Sequence, residues 1–360
     1  MSGSSKFLDP KRTLEQRRQA VVNLWDFLVR GGIADTTRSP GEVIDTGRVR
    51  RLTRYTPVEG VEPRGLPVLL VPPLGAQSLC FDLRKGASVV EHLVESGRPT
   101  YLVDYDDLKA ADKDLGIEHW VNDVLPNAIQ KVSDDNGGSE VDLIGWCMGG
   151  LLSICTDAVH PELPIHTLTL VASPFDMSKV PIMAPLRAIG KVSGGRIVGT
   201  GLRTIGSIPS PLVSLGFKAT ALPTYLKKPM TVWKRRDDRE FLGQVQAVDL
   251  LMNNMVAYPG RATMQVYQRM ALRNEVATGK IQGPNKLVDL DNVDVPVLAV
   301  GGHRDVLAPI PAVHHVGDLL PNSPDVRLET APGGHLGVLT GTQARDTTWA
   351  FIDSFLDDHA

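Results

Sequence analysis

The sequence lacks the features that would place it in a membrane or in a disulfide-rich scaffold. None of its apolar runs approaches the roughly 18 to 20 residues that cross a bilayer, and its first residues contain no apolar core of a signal peptide. Its three cysteines, Cys80, Cys147 and Cys155, are too few and too irregularly spaced for a disulfide framework or a zinc site. These absences predict a cytoplasmic location with no metal ion, and we expect no cofactor.

Acidic residues are missing from one long segment of the chain. Between Met177 and Arg236 there is no Asp or Glu, whereas the whole chain of 360 residues has a net charge of −3. A solvated basic surface is the simplest interpretation, and attraction to an anionic group, such as a nucleotide phosphate or a lipid or granule surface, is the functional one. No nucleic-acid motif accompanies the charge, so nucleic acid is not expected as a partner. The 11 cationic residues are Lys179, Arg187, Lys191, Arg196, Arg203, Lys218, Lys227, Lys228, Lys234, Arg235 and Arg236.

Short β-rich runs alternate with helical stretches along most of the chain. With 42% hydrophobic and 22% charged residues, the chain is long enough for one large globular domain or for a domain with an insertion. Helix-like stretches such as Gly86–Gly97 and Gly116–Val132 lie between the runs. The alternation predicts an α/β fold with a mainly parallel sheet. The predicted strands are Leu66–Pro73, Pro99–Tyr105, Glu140–Trp146, Ile165–Ser173 and Val295–Gly302.

The alternation stops in residues 177–282, which are Gly- and Pro-rich at first and then helical in pattern. We interpret them as a mostly helical cap inserted between two strands of the sheet. Residues 61–176 and 283–360 then form the core. Residues 1–60 are predicted to form an N-terminal extension, with an amphipathic helix ended by glycines and a lead-in strand.

The stretch LIGWCMGGLL, Leu143–Leu152, has the arrangement of a nucleophile elbow. The strand-like VDLIGW comes before a turn of small residues, and the helix-like LLSICTDAV comes after it, which is the context that a G-x-S-x-G motif requires. Gly145, Cys147 and Gly149 fill the pattern, and Gly150 follows. Glycines are needed because side chains in so tight a turn would collide with the neighbouring strand and helix. Cys147 is therefore predicted to be a nucleophile, the alternative being a buried, inert thiol.

Two further residues follow the elbow in the order nucleophile, acid, base. Asp305 comes just past the predicted strand VPVLAVGG, and His335 lies in a Gly-rich loop after DVRLETAP. A lone Asp in a loop is usually a turn residue and a lone His is usually structural, but together and in this order they favour a catalytic triad with Cys147. His303 precedes the acid in the same loop and is expected to be neutral or supporting. Cys80 and Cys155 lie in no such turn and are expected to be inert.

Two loops are predicted to supply the N–H groups of an oxyanion hole. The helix after Cys147 directs its N-terminal amides towards the site, so the N–H of Met148 is one candidate. The loop VPPLGAQ follows an early strand and is expected to supply the other N–H, from Leu74 or Gly75.

A cysteine in place of the more common serine favours acyl transfer between thioesters. Thiolates attack thioesters readily and are good leaving groups, so an acyl group passes from one thioester to another with little change in free energy. A serine would form a more stable oxygen ester. The residue therefore predicts a donor such as acyl-CoA, whose acyl group must stay activated for a second acceptor.

The motif GWCMGG resembles the Gly-x-Cys-x-Gly-Gly box of the polyhydroxyalkanoate synthases. The segments VPPLGAQSLCFDLRKGASVVEHLVESG, TYLVDYDDLKAADKDLGIEHWVNDVL and YQRMALRNEVATGKI are also similar to that family, and the likeness covers roughly Leu66 to the end. The resemblance implies an α/β-hydrolase fold with Cys147 as the acyl-accepting nucleophile and His335 as the base that activates it. It implies that Asp305 orients the histidine or helps to activate the hydroxyl of the incoming acyl group.

The compact length is closest to the short synthases of this family, which work with a separate partner subunit. The resemblance thus implies an acyl-CoA substrate, a second synthase subunit or a homodimer, a mobile cap over the site, and association with polyester or lipid inclusions. Two positions depart from the family pattern. Val306 follows the acid where His is usual, and Tyr105 replaces a common Trp.

Three functions are compatible with the sequence. A synthase-like acyltransferase, which loads Cys147 from (R)-3-hydroxyacyl-CoA and extends a polyester with release of CoA, is the favoured one. A hydrolase of polyester, lipid ester or acyl-CoA, in which water deacylates the cysteine, is the second. The third is a non-catalytic protein that coats lipid or polymer inclusions through its basic, glycine-rich segment.

Overall fold

A sheet of eight strands forms the centre of the computed structural model, which describes residues 12–105, 110–193, 207–220, 222–283 and 286–360. The strands in chain order are β1 (Gly41–Gly47), β2 (Arg50–Tyr55), β3 (Val68–Val71), β4 (Thr100–Asp104), β5 (Val141–Trp146), β6 (Ile165–Val171), β7 (Lys280–Gln282), β8 (Leu287–Asp289), β9 (Val297–Gly302) and β10 (Val326–Ala331). β7 and β8 form a small separate antiparallel sheet.

The large sheet has the order β1-β2-β4-β3-β5-β6-β9-β10. β2 pairs antiparallel with both β1 and β4, and all other neighbours in this sheet pair parallel. All four residues of β3 and all six of β5 are buried, as expected for strands whose two faces are both covered. The five predicted strands correspond to β3, β4, β5, β6 and β9. The predicted α/β fold with a mainly parallel sheet is thereby confirmed.

Helices cover this sheet and build the region that follows β6. The helices are α1 (Leu14–Leu28), α2 (Val89–Glu95), α3 (Ile117–His119), α4 (Leu125–Asp135), α5 (Met148–Val159), α6 (Ala184–Ser193), α7 (Ser210–Thr220), α8 (Leu222–Lys234), α9 (Arg239–Asn253), α10 (Gly260–Gln265), α11 (Ile310–Val313), α12 (Gly337–Thr340) and α13 (Ala350–Asp358). Turns of π-helix at Trp120–Val124, Val266–Leu272 and Arg345–Trp349 adjoin α4, α10 and α13. Within the described ranges, no helix combines the length and apolar character needed to cross a membrane.

The first sixty residues contribute two strands to the large sheet rather than one lead-in strand. β1 and β2 pair antiparallel around a tight turn at Val49, whose φ is +48°. β2 then pairs with β4, where Arg51 lies opposite Asp104 and its guanidinium contacts that carboxylate at 2.9 Å. This part of the extension therefore belongs to the sheet.

The predicted N-terminal helix is present as α1, and its polar face rather than its apolar face is turned towards the protein. Thr13 caps it, because its hydroxyl accepts the Gln16 N–H at 3.2 Å. Asn23 and Asp26 face inward, and Asp26 contacts the Arg239 guanidinium of α9 at 2.8 Å. Its large apolar side chains face outward, as Leu14 with 87% of its surface exposed illustrates. Polar contacts thus hold α1 to the rest of the protein.

Helices α6 to α10 lie in residues 177–282, and the described part of this range contributes no strand to the large sheet. One predicted boundary divides a structural unit, because β7 ends at Gln282 and pairs with β8 beyond it. The Gly-rich residues 194–206, which include Arg196 and Arg203 of the basic segment, lie outside the described residues. The other domain limits stay a prediction.

Two cationic residues of the basic segment, residues 177–236, form ion pairs with carboxylates from outside it. Lys228 forms an ion pair with Asp249, and Arg235 forms one with Asp238. Arg236 is buried, and its guanidinium lies 4.3 Å from the centre of the Trp233 ring. Lys228 and Arg235 therefore do not present free charge to solvent. Acidic side chains that follow the segment in sequence lie next to it in space.

Candidate active site

Cys147 stands at a sharp turn between β5 and α5. Its backbone has φ +55° and ψ −119°, a conformation that a residue with a side chain rarely adopts. The Cys147 N–H donates to the carbonyl oxygen of Val171 at 2.8 Å, which ties the turn to the end of β6. This strained turn is the geometry expected of a nucleophile elbow.

The glycines around Cys147 allow the first turn of α5 to pack directly on strand backbone. A Cβ atom at Gly145 would lie 2.4 Å from the Gly150 nitrogen, and one at Gly149 would lie 2.0 Å from the Val71 carbonyl oxygen. A Cβ at Gly150 would lie 2.2 Å from the Ser173 hydroxyl oxygen. All three separations are far below van der Waals contact. Each glycine of the motif is therefore required by close packing.

His335 and Asp305 come together from loops that follow neighbouring parallel strands. His335 Nδ1 lies 2.8 Å from Asp305 Oδ2. Asp305 Oδ1 accepts the N–H groups of Leu307 and Ala308, both at 2.8 Å. Burial raises the pKa of Asp305, but the charge of His335 and these hydrogen bonds outweigh it, so the pKa lies below its usual value. The buried carboxylate is thus held ionised and oriented.

The other ring nitrogen of His335 is buried near Cys147. Nε2 has no hydrogen-bond partner of ordinary geometry within the described part of the chain. Burial lowers the pKa of His335, but the negative charges of Cys147 and Asp305 together raise it to about 10. The site therefore favours a protonated His335 ring between Cys147 and the Asp305 carboxylate. The three predicted residues lie together.

Trp146 joins the nucleophile turn to the histidine loop, a role that was not predicted. Its indole Nε1 donates to the His335 carbonyl oxygen at 3.0 Å, and the two rings lie 5.1 Å apart. The only signal in the sequence was the position of Trp146 directly before Cys147, which we interpreted as the last residue of a strand.

The predicted oxyanion residues lie on both sides of Cys147. Met148 begins α5, and it lines the same cavity as Leu74 and Cys147. No backbone carbonyl of the described residues accepts the N–H of Met148 or of Leu74. Gly75 lies outside the cavity lining, and its carbonyl oxygen accepts the Val256 N–H at 2.9 Å. Leu74 is therefore the better placed of the two loop candidates.

Tyr258 reaches the site from residues 177–282 and was also not predicted. It lines the cavity, and its ring packs against Gly75, where a Cβ would lie 2.8 Å from Tyr258 Cδ2. Burial and the charge of Cys147 both raise the pKa of the Tyr258 phenol. A neutral hydroxyl is thus available near the sulfur. No local pattern in the sequence could have indicated this contact.

The site opens into a cavity of about 830 Å³, within the usual range for ligand sites. Cys147 and His335 line it from the sheet side. Residues 177–282 supply much of the remaining wall, which is largely apolar; examples are Met183, Phe217, Val248, Met252 and Met255. The described residues contain no cluster of His, Cys, Asp and Glu suited to a metal ion.

Known proteins with similar sequences include several PhaC subunits, although no protein-family model matches the chain. The poly(3-hydroxyalkanoate) polymerase subunit PhaC of Haloarcula marismortui is 24% identical, over 99% of this chain and 78% of that protein. The subunit of Allochromatium vinosum is 24% identical, over 99% and 97%. That of Cupriavidus necator is 25% identical, over 92% and 58%. The chain is thus similar over most of its length to polyhydroxyalkanoate polymerase subunits.

Solved structures with similar coordinates show that this chain has the α/β-hydrolase fold. A soluble variant of monoglyceride lipase from Saccharomyces cerevisiae matches with a TM-score of 0.58 and 18% identity, over 90% of this chain and 96% of that one. Alpha/beta hydrolase domain-containing protein 10 from mouse matches with a TM-score of 0.50 and 15% identity, over 89% and 100%. At such identities the likeness concerns the fold.

The remaining predicted positions differ in how they relate to the candidate active site. His303 is exposed and lies outside the cavity lining, whereas Val306 lines the cavity with 54% of its surface exposed. The Tyr105 hydroxyl donates to the Pro72 carbonyl oxygen at 3.0 Å. Cys80 and Cys155 are buried; burial raises the pKa of both thiols, to about 12 for Cys155. High thiol pKa values make these two cysteines poor nucleophiles.

Proposed function

We propose that the protein is an acyltransferase that polymerises 3-hydroxyacyl groups from acyl-CoA, with Cys147, His335 and Asp305 as its catalytic residues. One observation carries the proposal. Cys147, in its strained turn, shares a cavity with His335, whose ring contacts Asp305 at 2.8 Å. Similarity to the poly(3-hydroxyalkanoate) polymerase subunits supports the choice of reaction.

In the first step the Cys147 thiolate attacks the carbonyl carbon of acyl-CoA. The N–H groups of Met148 and Leu74 stabilise the oxyanion that forms. The bond from the carbonyl carbon to the CoA sulfur then breaks, and CoA leaves as a thiol with the proton of His335 Nε2. The acyl group is now a thioester of Cys147, and His335 is a neutral base.

In the second step the hydroxyl of another 3-hydroxyacyl group attacks the same carbonyl carbon. His335 takes the hydroxyl proton at Nε2, the bond to the Cys147 sulfur breaks, and an oxygen ester forms. Asp305 stabilises the imidazolium and fixes its tautomer through Nδ1. The thiolate and imidazolium are restored, so each cycle releases one CoA and needs no cofactor.

Transfer outcompetes hydrolysis only if the hydroxyl reaches the acyl-cysteine more effectively than water does. The apolar wall that residues 177–282 contribute supports exclusion of water, and orienting the hydroxyl raises its effective concentration. Lys228 and Arg235 line the same cavity, and they could bind the phosphates of CoA by exchanging their ion pairs with Asp249 and Asp238. The Allochromatium relative is named a polymerase subunit, which supports a second subunit as a partner of this chain. The proposal also includes binding of the protein to the surface of a polyester inclusion.

The test is a mass balance with 3-hydroxybutyryl-CoA as substrate. We expect more CoA release than free 3-hydroxybutyrate, with the difference recovered as oligomer or polymer. Cys147→Ala is the control that must abolish both products. One free acid per CoA, with and without an added partner subunit, would instead establish a hydrolase. No turnover of any acyl-CoA would favour a binding protein.

A further inference from the structure

A second cavity of about 340 Å³ runs beside helix α5 and is not used by the proposed chemistry. Five residues of α5 line it: Met148, Leu151, Leu152, Cys155 and Val159. Their spacing places them on one face of the helix. From Met148 to Val159 the helix rises about 16 Å, at roughly 1.5 Å per residue. The cavity is therefore a long slot that begins at the residue after the nucleophile. We call it the α5 slot.

Only a few side chains separate the α5 slot from the catalytic cavity. Met148, Leu151 and Met270 line both cavities. Methionine side chains have three rotatable bonds and adapt easily to the shape of a neighbour. Of the three shared side chains, Met148 and Met270 are therefore the ones that can most easily move aside between the slot and the cavity that contains Cys147.

The wall opposite α5 is also apolar. Val276 lies in a short 3-10 helix before β7, while Ile281 of β7 and Val288 of β8 are cross-strand partners. All three line the slot. Apolar side chains on both walls favour a hydrocarbon ligand, because removing its surface from water is favourable and no polar partner is required.

Several polar groups at the slot already have partners within the protein. Glu118 forms an ion pair with Arg261, and its carboxylate accepts a hydrogen bond from Gln265 Nε2 at 2.7 Å. Lys286 Nζ donates to the Val159 carbonyl oxygen at 2.6 Å. A polar ligand in the slot therefore has to break these existing contacts before it can bind the same groups.

We propose that the α5 slot holds the unbranched alkyl tail of the acyl group carried on Cys147. This inference rests on the proposed function, because it assumes an acyl-cysteine. With a C–C bond of about 1.52 Å in a zigzag, an extended chain advances roughly 1.25 Å per carbon, so the slot has room for a tail of about ten carbons. The substrate class is then 3-hydroxyacyl-CoA of medium chain length, rather than four-carbon acyl groups alone.

The first test measures binding without turnover. In a Cys147→Ala background, titration calorimetry compares the unreactive thioethers S-decyl-CoA and S-butyl-CoA. Each buried methylene strengthens binding up to about fourfold, so we expect the decyl compound to bind at least thirtyfold more tightly. Val288→Phe fills the slot and should reduce this ratio at least tenfold. If Val288→Phe does not fold, Ile281→Phe takes its place, because Ile281 is the cross-strand partner of Val288.

Val43→Phe is the matched control, because Val43 is an exposed strand valine that lines neither cavity. It should leave the decyl-to-butyl ratio unchanged. The proposal would be overturned if the decyl-to-butyl ratio were the same in the background protein, in Val288→Phe and in Val43→Phe. The tail would then lie in the catalytic cavity.

The second test separates failure of the slot from failure of the proposed function. CoA release is measured with 3-hydroxyacyl-CoA substrates of four to twelve carbons. We expect turnover of the longer substrates, and Cys155→Phe, which blocks the middle of the slot, should shift the preference at least fivefold towards the shorter ones. An unchanged preference would argue against the slot. Absence of turnover with every substrate would refute the acyltransferase, while the calorimetric ratio would still decide whether the slot binds an alkyl chain.

Discussion

The indole Nε1 of Trp146 donates a hydrogen bond to the carbonyl oxygen of His335 at 3.0 Å, so the residue before Cys147 holds the loop that carries His335. The two residues are far apart in sequence and meet because β5 and β10 end at the same edge of the parallel sheet. The position of the imidazole relative to the Cys147 sulfur therefore depends on this contact.

We expect Trp146→Phe to lower kcat about tenfold, because a small misplacement of a catalytic base has a large effect on rate. It should also lower the free energy of unfolding by about 0.5 to 1.5 kcal/mol, since a part-buried carbonyl loses its donor. Trp349→Phe is the matched control. Its buried indole donates to the Leu339 carbonyl oxygen, and it lies outside the catalytic cavity lining. Equal kcat values in the two variants would contradict the proposed role of Trp146.

Cys147→Ala should abolish turnover, because no other group can hold the acyl intermediate. Cys147→Gly should also be inactive but more stable. Glycine accepts φ +55° and ψ −119° without the strain of a Cβ atom, which is worth about 1 to 3 kcal/mol. Urea denaturation of the two variants measures this difference. If Gly proved no more stable than Ala, the strain assigned to the turn would be refuted.

The ring of His335 should titrate at an unusually high pH. The negative charge of Cys147 is the largest contribution that raises its pKa to about 10, since burial acts in the opposite direction. We therefore expect the pKa of His335 to fall in Cys147→Ala. NMR titration of the imidazole nitrogens provides the measurement, and the same pKa in both proteins would show that Cys147 does not act on the ring.

The same pKa predicts how stability depends on pH. Because the folded-state pKa of His335 lies above its ordinary value of 6.5, its protonation stabilises the folded protein fully below pH 6.5 and progressively less as pH rises towards 10. The lowered pKa of Asp305 acts oppositely, and its contribution is lost as pH falls below 3.8. Unfolding free energies at pH 6, 8 and 10 should therefore decline less in His335→Gln than in the wild type. Parallel curves would contradict the linkage.

Gly75→Ala should disturb the active site more than its backbone conformation alone predicts. Gly75 and Gly60 both have positive φ, +83° and +81°, so alanine at either position costs about 1 to 2 kcal/mol. Only at Gly75 would the Cβ meet a side chain, 2.8 Å from the Tyr258 ring. We expect reduced kcat/KM in Gly75→Ala alone. The same loss in Gly60→Ala would assign the effect to general destabilisation.

Lys228 and Arg235 should contribute to binding of the CoA phosphates, because both line the catalytic cavity. Replacing both by Gln should raise KM for acyl-CoA about three- to tenfold, and the effect should shrink with added salt as charges are screened over about 8 Å. Lys227→Gln is the control, since Lys227 is exposed and not part of the cavity lining. An equal change in KM from Lys227→Gln would indicate a general surface charge effect.

The sequence by itself determined the parallel sheet, the elbow at Cys147 and the order of Cys147, Asp305 and His335. Strand periodicity, the need for glycine in a tight turn, and chain order are local properties, so they can be predicted from a single sequence. Gly145, Gly149 and Gly150 illustrate this, because the close packing at each was expected from the motif and is present in the structure.

Only the tertiary structure decided which distant residues surround that turn. Tyr258, Met270 and the β7–β8 pair approach Cys147 and α5 from another part of the chain. The carboxylates that pair with Lys228 and Arg235 lie beyond the acid-free segment. The outward apolar face of α1 depends on a polar contact with Arg239. Such contacts arise from the packing of whole elements against one another. The side chains of one segment do not indicate which other segment will pack against them.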